Sequence, residues 1–109
     1  MADIIKLVQG DSKPDIMLSL TDENTGLAID LSAATTVVRV KFRAAGSETL
    51  LSTITCSKTD AVNGKVSFNF TGGVLDVDAG SYEGEIEISF DTQTQTVYDV
   101  LKFRVRGEF

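Results

Sequence analysis

Short runs of alternating apolar and polar residues fill most of the chain. In the clearest of them, Val38, Val40 and Phe42 alternate with basic residues. A period of two places apolar side chains on one face of a strand and polar side chains on the other. The same alternation recurs along the chain and predicts eight strands, near residues 3–9, 15–22, 27–31, 36–44, 50–57, 64–71, 81–91 and 95–106.

Turn-forming residues separate these runs at short and regular intervals. Asn63-Gly64 is one such signal, because both residues tolerate the positive φ angles of a tight hairpin. The single helix-like stretch, residues 74–78, is too short for more than one turn. Many short strands with frequent turns are typical of an all-β sandwich or barrel. The length of 109 residues and the absence of a linker predict one domain over residues 1–109.

Three predicted strands carry outward-facing charges of a single sign. Opposite charges on adjacent strands stabilise a sheet by about 0.2–1 kcal/mol per pair, and like charges repel. The acidic strand is therefore expected between the two basic ones. In an immunoglobulin-like sandwich, strand F lies between strands C and G in the same way. The basic residues are Arg39, Lys41, Arg43, Lys102, Arg104 and Arg106, and the acidic ones are Glu83, Glu85 and Glu87.

A second pattern favours the same fold. Asp78, Gly80 and Tyr82 form an Asp-x-Gly-x-Tyr sequence at the start of the predicted acidic strand. In Greek-key sandwiches a tyrosine at this place hydrogen-bonds the backbone a few residues upstream. The sequence thus predicts an immunoglobulin-like antiparallel β-sandwich of about seven or eight strands with a tyrosine corner. It has no intramolecular disulfide, because Cys56 is the only cysteine.

Composition narrows the possible chemistry. With no histidine and one cysteine, the chain has no His/Cys zinc cluster, no Ser-His-Asp triad and no Cys-His pair. Asp76 and Asp78, with Asp60, are candidate Ca²⁺ ligands, but their positions fit turns better. The row of three glutamates could serve acid–base catalysis, but the salt ladder already explains it. We therefore expect no enzyme activity, no catalytic or metal site and no cofactor.

The formal net charge of −6 argues against a nucleic-acid or anionic-membrane partner, since both require a basic surface. The N-terminal Met-Ala-Asp-Ile-Ile-Lys does not have the pattern of a signal peptide, and no apolar run is long enough to span a membrane. We expect a chain that is made in a cytoplasm and contacts other proteins. Its acidic excess lies mostly in turns, where a basic neighbouring subunit is expected.

Five segments of the sequence resemble those of a known family. They are Gln9-Gly10-Asp11-Ser12-Lys13-Pro14, Leu18-x-Leu20-Thr21-Asp22, Ile29-Asp30-Leu31-Ser32-Ala33-Ala34-Thr35, Thr59-Asp60-Ala61-x-x-Gly64-x-Val66 and Asp78-x-Gly80-x-Tyr82. Over nearly the whole chain they resemble the immunoglobulin-like domain at the N-terminus of phage baseplate upper proteins and in related small phage virion proteins. The resemblance extends to the end of the domain, and we expect a free-standing version without the helical and receptor-binding regions of the longer family members.

The resemblance implies a virion structural protein made in the cytoplasm of a host bacterium. Its role would be that of a small tail or baseplate component that assembles with other virion proteins, in repeated copies around a symmetry axis. A capsid decoration (cement) protein of the same fold is the alternative. A carbohydrate- or receptor-binding module is less favoured, because Tyr98 is the one aromatic residue expected on the surface.

Two terminal segments, residues 2–9 and 104–109, are the expected contacts between subunits. Residues 4–8 are too apolar for a free tail, and Phe109 is an apolar chain end. We expect contact through Ile4, Ile5, Leu7, Val8 and Phe109. For residues 4–8, the first strand of the sandwich is favoured over an exchanged arm.

Overall fold

The chain folds into two β-sheets that enclose one hydrophobic core. The computed structural model describes residues 4–22, 24–97 and 100–107. The strands are β1 (Ile4–Val8), β2 (Ile16–Ser19), β3 (Thr36–Ala44), β4 (Leu50–Thr55), β5 (Ser57–Asp60), β6 (Lys65–Phe68), β7 (Gly80–Phe90), β8 (Gln93–Thr96) and β9 (Leu101–Arg106). A single 3₁₀ turn, Ala61–Asn63, lies between β5 and β6. Among the described residues no helix is long and apolar enough to cross a membrane.

The larger sheet has six strands. Its order is β1-β9-β7-β3-β4, and β8 pairs with the end of β7. The smaller sheet has the order β2-β6-β5. Most neighbouring strands are antiparallel, but β1 runs parallel to β9. The predicted antiparallel sandwich therefore has one parallel pair, at this edge of the larger sheet.

Alternation places the apolar side chains as the sequence predicts. On β3, Val38, Val40 and Phe42 are almost fully buried, and on β7 Ile86 and Ile88 are buried as well. The ring of Phe70, just after β6, meets the ring of Phe103 on β9 edge-on, with centroids 5.8 Å apart. This contact joins the two sheets. Aromatic pairs in this geometry stabilise beyond the area that they bury.

Two predicted elements differ in the structure. The predicted strand 27–31 is absent: Thr21 and Ala28 form one isolated bridge. The reason lies in the backbone bonds, because Ile29 donates to Leu20 and Leu31 donates to Ala61, so no continuous ladder forms. The helix-like residues 74–78 contain the end of a turn and a bend but no helix, and a 3₁₀ turn that was not predicted lies before Gly64.

Two predicted strands are each divided in the structure. The run 50–57 becomes β4 and β5, which belong to different sheets. Between them, buried Cys56 donates its backbone N–H to Val38 at 2.8 Å. The run 95–106 becomes β8 and β9, because the pairing register against β7 changes between Thr96 and Leu101.

Candidate interaction surface on the larger sheet

The outer face of the larger sheet carries the predicted charges. Strand β7 lies between β3 and β9, which is the neighbour order that the charge pattern predicts. On β3, Arg39, Lys41 and Arg43 lie opposite Glu87, Glu85 and Glu83 of β7. All of these residues alternate with buried ones, so their side chains point away from the core. The geometry therefore brings basic and acidic residues together across β3 and β7.

Two ion pairs form on this side of β7. The Nζ atom of Lys41 lies 2.7 Å from Oε2 of Glu87, one diagonal step from the carboxylate directly opposite. The Nε atom of Arg43 lies 3.6 Å from Oε1 of Glu83. Arg39 donates instead to the hydroxyl of Ser89 at 3.3 Å. The carboxylates of Glu83 and Glu87 thus turn toward β3.

We expect the Lys41–Glu87 pair to contribute measurably to stability. A double-mutant cycle with Lys41→Gln and Glu87→Gln is expected to give a coupling of about 0.3–1 kcal/mol in the free energy of unfolding. Because both side chains are partly exposed, the coupling should fall as salt rises. Urea unfolding at two salt concentrations measures it. A coupling of zero at low salt would contradict the assignment of this pair.

The other side of β7 differs from the predicted ladder. Lys102 lies opposite Glu83, but Arg104 lies opposite Ser81, and Arg106 lies beyond the paired residues of β7. The cause is the register, because β9 begins opposite Gly84 and runs toward the start of β7. Within the described part of the chain, neither Lys102 nor Arg104 forms an ion pair. The predicted alternation of charges between β7 and β9 is therefore limited to one position.

The predicted tyrosine corner has a defined geometry. The hydroxyl of Tyr82 donates a hydrogen bond to the backbone carbonyl of Asp78, four residues upstream. The ring stacks on Phe42, with centroids 5.1 Å apart. Burial, and secondarily the charge of Asp78, raises the pKa of the Tyr82 hydroxyl. Gly80 begins strand β7, which this hydrogen bond ties to the preceding turn.

Replacing Tyr82 with phenylalanine is expected to lower the free energy of unfolding by about 0.5–1.5 kcal/mol. The change removes the hydrogen bond to Asp78 but keeps the ring against Phe42. Urea unfolding curves of the two proteins measure the difference. Equal midpoints would mean that the hydrogen bond contributes nothing net.

The residues expected at subunit contacts are placed differently from one another. Residues 4–8 form edge strand β1, the arrangement favoured over an exchanged arm. Ile4 is 56% exposed, and Ile5 and Val8 are partly buried. Leu7 does not fit the expected contact, because its side chain is 3% exposed and packs in the core. Phe109 lies outside the described residues.

The aspartates considered as Ca²⁺ ligands lie at or beside turns. Asp60 accepts a hydrogen bond from the side chain of Asn63 at 2.9 Å, and the backbone of Asp76 donates to Gly73. Over residues 4–22, 24–97 and 100–107, no group of three acidic or sulfur side chains is placed to hold a metal ion. Tyr98, the aromatic expected at the surface, is outside the described residues.

Burial raises the pKa of the Cys56 thiol to about 11. At pH 8 we expect a disulfide reagent to modify the native thiol at least about 100-fold more slowly than the thiol of the unfolded chain, because the thiolate is the reactive form. The native state also holds this proton more tightly than the unfolded state. Stability should therefore fall as pH rises from about 8.5 toward 11, and Cys56→Ala should lessen that fall. Fast native modification would contradict the burial.

Sequence reasoning missed one part of this face. Lys6 on β1 lies opposite Arg104 of β9, because β1 pairs with β9 in parallel register. The signal was present, since Ile4, Lys6 and Val8 alternate with Ile5 and Leu7. The alternation alone does not show that Lys6 lies next to Arg104, because that depends on which strand lies beside β1.

Comparison with known proteins adds one finding about the fold. No family model and no curated protein matches the sequence. Among solved structures, the chain is similar to the N-terminal domain of phage TP901-1 ORF48, with a TM-score of 0.62 and 14% sequence identity. The match covers 98% of this chain and 86% of that one. The chain therefore shares the all-β sandwich fold of a phage protein domain.

Proposed function

We propose that the protein is a phage virion structural protein, a small tail or baseplate component that acts by assembling with other proteins. One observation carries the proposal: the fold matches a phage protein domain over 98% of this chain. The resemblance of the turn and strand-entry motifs to small phage virion domains points the same way. The virion is then its location, after synthesis in the host bacterial cytoplasm.

The proposal includes an immunoglobulin-like Greek-key topology. The strand order β1-β9-β7-β3-β4 in one sheet and β2-β6-β5 in the other supports it, because β7 takes the place of strand F between C and G. The hydrogen bond from Tyr82 to Asp78 supports it as well, since it has the geometry of a tyrosine corner.

In this function the domain is a rigid building block without enzyme activity. The absence of histidine from the sequence and the burial of Cys56 support that part of the proposal. So do Glu83 and Glu87, whose carboxylates pair with basic side chains on a sheet face. The partners are other virion proteins, and repeated copies surround a symmetry axis. The net charge of −6 supports a role without nucleic-acid or membrane contact.

Quantitative mass spectrometry of gradient-purified particles from the host that encodes the chain tests the proposal. We expect the protein in the particle fraction at a fixed multiple of the copy number of a known tail protein, before and after a high-salt wash. Its absence from washed particles would overturn the proposal. A glycan array provides the comparison with the sugar-binding alternative, and we expect no specific binding on it.

A further inference from the structure

A groove crosses the outer face of the larger sheet over β1, β9 and the start of β7. It encloses about 460 Å³. Small residues form its floor, because Ser81 faces outward opposite Arg104, and Ala45 lies beside Ser81, to whose carbonyl its N–H donates. Ile4 forms an apolar part of the rim. A depression of this size lies within the range of about 300–1,000 Å³ that is usual for binding sites.

The groove continues along the two strands. A second hollow of about 240 Å³ lies between β1 and β9, and Lys6 and Arg104 line both hollows. Because they share these two residues, the hollows adjoin each other along the strand direction. Two adjoining hollows suit an extended chain segment better than a compact ligand.

Three cations line the groove, and Glu83 is the one carboxylate among its lining residues. Lys6 lies on β1, Lys102 and Arg104 lie on β9, and all three are exposed on the outer face. Lys6 and Arg104 are directly opposite each other across β1 and β9, an arrangement of like charges that destabilises a sheet. In the described part of the chain, none of the three forms an ion pair. With no ion pair among the described residues to engage them, these charges are available to a ligand.

Glu83 is the acidic residue of the groove, and other partners hold its carboxylate. Its Oε1 atom lies 3.6 Å from Nε of Arg43 and accepts the backbone N–H of Gly46 at 3.4 Å. Both partners lie on the β3 side, away from Lys102. The pairing with Arg43 therefore leaves Lys102 able to meet an external carboxylate.

We propose that this groove binds an acidic, extended segment of a neighbouring protein chain. Carboxylates of the segment pair with Lys6, Lys102 and Arg104, and an apolar side chain lies over Ser81 and Ala45 against Ile4. This inference rests on the proposed function only for the statement that the neighbour is a virion protein. It also adds to the expectation of a basic partner at the acidic turns. This face of the sheet selects an acidic partner.

Charge complementarity favours a polypeptide over a nucleic acid. Proteins that bind DNA tightly neutralise about 6–10 phosphates, whereas three cations line this groove. The net charge of −6 repels a long polyanion but matters less for a short segment held at close range.

NMR titration of the ¹⁵N-labelled chain tests the proposal. The probe is the capped peptide Glu-Glu-Leu-Glu-Glu, and the matched control peptide is Gln-Gln-Leu-Gln-Gln. We expect the acidic peptide to shift the amide signals of Ala45, Ser81, Lys102 and Arg104, and the neutral peptide to leave them unchanged. The double variant Lys102→Gln/Arg104→Gln should weaken binding by about fivefold or more. Lys58→Gln/Lys65→Gln, with the same charge change on the smaller sheet, should change it by less than about twofold.

Defined outcomes would overturn the proposal. They are equal weakening in both double variants, shifts that cluster away from the groove, or tighter binding of a ten-residue oligothymidylate. Concentration-dependent shifts of the groove amides without peptide would assign the groove to a second copy of this chain instead. The variant Lys6→Gln/Lys102→Gln repeats the test if the first variant does not fold. Because the titration uses the isolated chain, its failure would leave the particle measurement unaffected.

Discussion

Replacing Phe103 with alanine is expected to lower the free energy of unfolding by about 3–5 kcal/mol. Phe103 is 1% exposed, and its ring contacts the rings of Phe42 and Phe70, from different sheets. It also fills the space beside Gly84, where a Cβ atom would come within 2.9 Å of the ring. Alanine leaves a cavity that the rigid sheets cannot close. Urea unfolding followed by fluorescence or circular dichroism measures the loss.

The matched control is Val62→Ala, which also shortens an apolar side chain. Val62 is 63% exposed, so its loss should change stability by about 0.5 kcal/mol or less. If Phe103→Ala cost no more than Val62→Ala, the ring would not be the link between the sheets.

Replacing Gly64 with alanine is expected to be the second large change. Gly64 has a φ of 70°, and an added Cβ would lie 2.5 Å from the backbone oxygen of Leu20 and 2.9 Å from that of Ile29. The Leu20 oxygen cannot move alone, because it accepts the N–H of Ile29 while the N–H of Leu20 donates to Gly64. We expect a loss of about 3 kcal/mol or more, from backbone strain of about 1–2 kcal/mol and a steric clash of similar size.

Gly46→Ala separates these two causes. Gly46 has a φ of 78°, but no atom lies within 4 Å of the point that an added Cβ would occupy. The control should therefore lose only the strain, about 1–2 kcal/mol. Thermal unfolding of both variants measures the difference. Equal losses would contradict the close approach of the Leu20 and Ile29 carbonyls.

The faces and neighbours of the strands were predictable because they depend on short-range rules. Alternation assigned Val40 and Phe42 to the core, and the signs of the charges placed β7 between β3 and β9. The interruption of the last strand was not predictable. Val97 donates to Ile86, yet four residues later Leu101 pairs with Gly84, so the register shifts by two residues within the predicted run 95–106.

The prediction of a strand at residues 27–31 was wrong for a related reason. Its residues look like a strand, but their backbone groups bond to Leu20 and Ala61, which belong to separate parts of the chain. Local alternation carries no information about which backbone supplies the partner. A strand requires one neighbour over several residues, and this segment has two.

The groove was less predictable than the fold. Its floor needs two small residues, Ser81 and Ala45, from different parts of the chain, and its charge needs Lys6 beside Arg104. The parallel pairing of β1 with β9 creates that arrangement. The sequence offered every one of these residues, but their proximity follows from a register that no local pattern specifies.

The proposed role makes this domain a repeated structural subunit at the tail of a phage particle. Electron microscopy of purified particles, with a Fab fragment bound to a tag on this subunit, tests that role most directly. We expect several copies of the label around the tail axis at the tail end. Label spread over the head would favour capsid decoration and contradict the tail assignment, and particles without label would contradict a virion role.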